Sequence, residues 1–148
     1  MKNVFLDTNI LIDYVLNRPG GNDAEQLLMH GRRGDVSLSA SLLTIANMAY
    51  ILKGKIDIYG FFAMLTGFVN VLPMDSSQLQ AALGKQVRDF EDMLQFQCAK
   101  AGDCDIIITN NKRDFAEFSD LPIMTADASI GREYRQKSAE ITQSGYLS

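Results

Sequence analysis

Val4-Phe5-Leu6 is a short apolar run that ends on Asp7-Thr8-Asn9 and continues as Ile10-Leu11-Ile12-Asp13-Tyr14. A strand that stops on a carboxylate and turns into a helix holds a charge at the C-terminal edge of a sheet. Open α/β sheets gather their ligands along that edge. Asp7 is therefore the first candidate functional residue, and it reads equally as a cap of the helix that follows.

The rest of the chain repeats the alternation. Strands are expected over residues 2–6, 36–40, 68–72, 106–108 and 121–124. Helices are expected over 7–16, from Asn22 or Asp23 onward, after a cap at Ser41, over 56–66, after Asp75 and over 90–101. The helix after Ser41 is expected to pack through Leu42, Ile45, Ala46, Ala49 and Tyr50, and the one after Asp75 through Leu79, Ala82 and Leu83. Ile106-Ile107-Ile108 is the clearest buried strand, because parallel strands covered on both faces read as unbroken branched runs. Strands separated by helix-length segments predict a parallel, doubly wound α/β sheet.

At 148 residues the chain fits one domain with a real core. A single domain over 1–135 is expected, followed by a polar C-terminal tail over 136–148. The net charge of −4 argues against binding nucleic acid through a broad basic surface. It is compatible with a nucleic-acid enzyme whose acidic site takes metal ions, since the metal supplies positive charge. Two cysteines, Cys98 and Cys104, form no C-x-x-C pair, so a reducing cytoplasm is the simplest setting. No apolar run approaches membrane-spanning length. The lone His30 reads as a surface helix residue and leaves neither a zinc site nor a Ser-His triad.

Polar groups recur where such a sheet would collect them: Asp7 and Asp13, then Asp89-Phe90-Glu91-Asp92, then Asp105-Ile106-Ile107-Ile108-Thr109-Asn110-Asn111 with Asp114 beyond. Hard divalent cations take oxygen ligands, and Mg²⁺ is commonly held by one or two carboxylates. Asp89, Asp105 and Asp114 each read more readily as caps or solvated surface than as ligands. Asp92 is the stronger candidate, one turn into a helix whose other face carries Leu94, Cys98 and Ala101.

Taken together, Val4 through Asp13, Phe90 through Ala99, Asp105 through Phe115 and Leu121-Pro122-Ile123-Met124 resemble a PIN domain over roughly residues 2–130. The resemblance implies a three-layer α/β/α sandwich with a mostly parallel five-stranded sheet. It implies Mg²⁺- or Mn²⁺-dependent cleavage of RNA, with an antitoxin protein as partner in a VapBC-type pair and a homodimer formed through apolar helices such as 56–66. Residue by residue, it makes Asp7, Asp92 and Asn111 the catalytic, metal-binding set. Thr109 orients the site, and Asn9 supports Asp7. The resemblance also leads to a Glu in the helix after the second strand, where this chain offers only Asn47. An amide oxygen ligates a cation without charge, so Asp13, Glu91 or Asp114 become compensating candidates. Arg18, Lys112 and Arg113 are the candidate contacts to RNA phosphates. The missing Glu keeps a second reading open: a catalytically degenerate module that binds RNA or a protein partner. A receiver domain phosphorylated on aspartate fits poorly, because no clear acidic pair precedes a separate strand-end Asp.

Overall fold

Side chains alternate across a strand, and residues 4–6 and 106–108 bury apolar side chains on both faces, whereas residues 37–41 alternate serines with Leu38 and Ala40. The computed structural model describes residues 1–127; the expected tail over 136–148 lies outside them. β1 (Asn3–Leu6), β2 (Ser37–Ser41), β3 (Val69–Leu72), β4 (Ile106–Ile108) and β5 (Ile123–Met124) form one sheet in the order β3-β2-β1-β4-β5. Every pairing is parallel, and Phe5 sits between Ser39 and Ile107. Val4, Leu6, Ile106 and Ile108 face one core, while Phe5 and Ile107 face another. This two-residue period is what makes the fold three layers.

The first core is closed by α1 (Thr8–Val15), α2 (Gly21–Arg33), α3 (Leu42–Ile51) and α4 (Ile58–Leu65), through Leu11, Leu27, Met48 and Leu65. The second is closed by α5 (Ser76–Leu83), α6 (Phe90–Ala101) and α7 (Lys112–Ala116), through Ala82, Phe96, Ala99 and Phe115. Each fully buried large side chain of this kind contributes about 1.5–3 kcal/mol. The chain builds outward from β1 to β2 and β3, then crosses back to place β4 on the other side of β1. Connections leave the C-terminal ends of β1 and β4 in opposite directions, which opens a crevice between them. Among the described residues no helix is long and apolar enough to cross a membrane.

Several local expectations are corrected. α2 begins at Gly21 and is entered through Gly20 at φ 91°, with no side-chain cap from Asn22 or Asp23. Close packing sets this start: a Cβ on Gly21 would lie 2.7 Å from the Asp13 carbonyl oxygen. α3 buries Thr44 and Met48, whereas Leu42 and Tyr50 are exposed, Tyr50 by 85%. The helix is rotated because Thr44 finds hydrogen-bond partners inside. In α5 only Ala82 is buried, and Leu79 and Leu83 face out. α4 is shorter than 56–66 and is capped by Asp57. His30 is buried rather than on the surface, with Nδ1 2.9 Å from Asp35 Oδ2.

Candidate metal centre at the switch point of the sheet

Asp7 leaves the end of β1, and its backbone N–H continues the ladder to Ile108 of β4 at 3.0 Å. That bond fixes the residue at the crevice. One carboxylate oxygen accepts the Thr8 N–H at 2.9 Å, so Asp7 is indeed the cap of α1. The other accepts the Thr109 hydroxyl at 2.7 Å. Thr109 is itself placed by the end of β4, and its oxygen accepts the Asn111 N–H at 2.9 Å. Capping and a functional role are compatible here, because each carboxylate oxygen has further lone pairs. Burial raises the Asp7 pKa above the usual carboxylate range, opposed by the Thr109 and Thr8 hydrogen bonds and reinforced by the charges of Glu91 and Asp89.

The facing wall comes from the first turn of α6. Asp89 caps the helix by accepting the Asp92 N–H at 3.1 Å. Asp92 is buried, and its Oδ2 is the one buried side-chain oxygen or nitrogen without a hydrogen-bond partner among the described residues. Burial first, then repulsion from Asp7, Asp89, Asp114 and Glu91, pushes its pKa up to about 7. One carboxylate oxygen each from Asp89, Asp92 and Asp114 lie within 4.8 Å of one another. A buried, unpartnered carboxylate oxygen among like charges is costly unless a cation joins it. The donor set is all oxygen, as Mg²⁺ and Mn²⁺ prefer. The residues present therefore fit a hard divalent cation.

Asp7, Thr8, Asn9, Asn47, Tyr50, Ile51, Asp89, Glu91, Asp92 and Asn111 line a cleft of about 310 Å³. Among the described residues no lysine or arginine lines it. Asn111 makes no capping bond to α7 and faces the cleft instead. Asn47 donates from Nδ2 to Glu91 Oε1 at 2.6 Å. Asn9 lines the cleft, but the Asp7 oxygens are held by Thr8 and Thr109 rather than by it. Asp13 lies outside the lining and accepts the Asn110 amide at 2.6 Å, bracing the β4–α7 turn. Asp114 pairs with Arg88 at 3.3 Å. Arg18, Lys112 and Arg113 are exposed and outside the lining, with Lys112 and Arg113 next in sequence to Asn111.

Asp89, which reads from sequence more readily as a cap than as a ligand, caps its helix and also lines the acidic cleft. One further feature escaped the sequence reading. Beneath the cleft, Gln95 Nε2 donates to Thr44 at 2.9 Å and to Thr8 at 3.2 Å, and Gln95 Oε1 accepts from Ser41 at 2.6 Å. Thr8 and Thr44 also bond each other at 2.8 Å. This buried network ties the starts of α1 and α3 to α6. Only a polar Gln amid the apolar face of α6 hinted at it.

A family model for the PIN domain matches residues 3–113. Ribonuclease VapC1 of Aquifex aeolicus (strain VF5) is 25% identical over 138 residues, covering 85% of this chain and 92% of that protein. A chain of a toxin-antitoxin complex from Klebsiella pneumoniae superposes with a TM-score of 0.66 at 21% identity, covering 83% of this chain and 97% of that one. VapBC-1 from nontypeable Haemophilus influenzae gives 0.58 at 21% identity, covering 84% and 98%. Sequence match and strand order agree over most of the chain's length, and this protein belongs to the PIN domain family.

Proposed function

We propose that the chain is a divalent-metal-dependent ribonuclease, the toxin of a toxin–antitoxin pair with a small antitoxin protein as its partner. The observation that carries the reading is the buried, unpartnered Oδ2 of Asp92 in a cleft with four carboxylates and, among the described residues, no lysine or arginine in its lining. Support also comes from the relative named a ribonuclease and from the toxin–antitoxin complexes whose chains share the fold.

Asp7 and Asp92 would hold Mg²⁺ or Mn²⁺, with Asn111 offering an amide oxygen. Such an ion supplies Lewis-acid chemistry at a phosphodiester. Thr109 fixes the Asp7 carboxylate through one oxygen, so its direction is set before substrate arrives. The Gln95 network holds α3 and α6 apart at a fixed spacing. Lys112 and Arg113 meet RNA phosphates beside the cleft, a local contact that an acidic protein can offer without a broad basic face. The exposed Arg18 is a third such contact.

Purified protein is expected to cut RNA with Mg²⁺ or Mn²⁺, to stop in EDTA, and to lose cleavage in Asp7→Asn with an unchanged circular dichroism spectrum. Equal cleavage in EDTA defeats the reading.

A further inference from the structure

The two walls of the cleft carry different chemistry. α6 contributes Asp89, Glu91 and Asp92, whereas α3 contributes Asn47, Tyr50 and Ile51, with no charge. Glu91 is exposed, and the ion pairs of the described residues (His30–Asp35, Arg88–Asp114 and Lys100–Asp120) do not include it. An exposed glutamate in the first turn of a helix interacts favourably with the dipole from any solvated rotamer. Repulsion from Asp7, Asp89 and Asp92 favours rotamers that point away. The side chain instead lines the cleft, held by Asn47 Nδ2 at 2.6 Å across a separation of 44 residues. An amide donating to a carboxylate makes a short, charge-assisted bond. The charge of Glu91 is felt at both Asp7 and Asp92. Asn47 thus holds a carboxylate against the repulsion of its neighbours, a placement that a bound cation would make more favourable.

We propose that Glu91 is a working carboxylate of the cation site and that Asn47 is its positioning residue, an inference that rests on the metal-dependent reading above. The α3 wall supplies its charge indirectly, by gripping an acid from α6. Asn47 is neither a vacant position nor a loss of the site. It selects the orientation of the acid opposite.

The test is calorimetric titration of Mn²⁺ into the full chain at pH 8 without nucleic acid, with thermal melts in EDTA as the folding check. Asp92→Asn serves as the calibrating variant and is expected to lose Mn²⁺ binding. Glu91→Gln removes the charge but no packing and is expected to weaken Mn²⁺ by about tenfold. Asn47→Ala keeps the charge but frees it, and is expected to weaken Mn²⁺ by roughly threefold. The exchanged pair, Asn47→Glu with Glu91→Gln, moves the acid to the other end of the same hydrogen bond. Its affinity is expected to return to within about threefold of the original, which a merely structural role cannot produce. Unchanged affinity in Glu91→Gln, with binding lost in Asp92→Asn, overturns this inference and leaves the metal-dependent reading standing. An Asn47→Ala protein that binds as the original does, together with an exchanged pair no tighter than Glu91→Gln, overturns the positioning role. Absence of Mn²⁺ binding in the original protein overturns both.

Discussion

Asp92→Asn is expected to stabilise the metal-free protein while destroying its activity. Asn has nearly the same shape and removes the charge. The carboxyl of the folded chain holds its proton to about 7, against a usual value of 3.8. Between those two values the folded state binds more protons than the unfolded state, so stability falls as pH rises. The contribution is complete below 3.8 and fully lost above about 7. A three-unit difference corresponds to a ceiling of about 4 kcal/mol. Water in the open cleft screens the charges and reduces this to about 1–2 kcal/mol. For a chain of this length that is roughly 2–8 °C in Tm. Melts in EDTA at pH 8 are therefore expected to place Asp92→Asn above the original. At pH 5.5 the gain shrinks to about half, because there the unfolded carboxyl alone has ionised. Saturating Mn²⁺ reverses the order by binding only the protein that keeps the acid. A variant that melts lower than the original at pH 8, or a gain that does not change between pH 5.5 and pH 8, refutes the argument.

Two other substitutions probe the supports of the site. Thr109→Val keeps shape but strips the hydroxyl from Asp7, leaving a buried charged oxygen without its donor. A loss of about 1.5–3 kcal/mol is expected in urea unfolding with unchanged m, along with a cleavage rate reduced at least tenfold. Gln95→Leu leaves Ser41, Thr8 and Thr44 to bond among themselves and is expected to cost about 2–3 kcal/mol. Weaker Mn²⁺ binding should accompany it, and undiminished binding separates the network from cleft geometry.

The order of strands and helices was legible because β1 and β4, at the middle of the sheet, are buried on both faces and read as apolar runs. Val4-Phe5-Leu6 and Ile106-Ile107-Ile108 needed no tertiary information. Helix faces were less legible. In α3 the expected stripe included Leu42 and Tyr50, yet Thr44 and Met48 are the buried residues. A threonine enters a core when its hydroxyl is satisfied there, and the partners of Thr44 come from α1, β2 and α6. Of these only Ser41 lies within a window of local sequence; Thr8 and Gln95 do not. The same limit separates the single acids of the site from their arrangement. Asp7 could be read as a candidate from the strand-to-helix turn of residues 4–8, although Ile108 and Thr109 complete its placement. The grip of Asn47 on Glu91 spans 44 residues and depends on the spacing of two helices. Substitution at one position therefore says little about the charge of the cleft. What matters is which acids the fold brings together, and an asparagine that aims a glutamate contributes to that charge without carrying any.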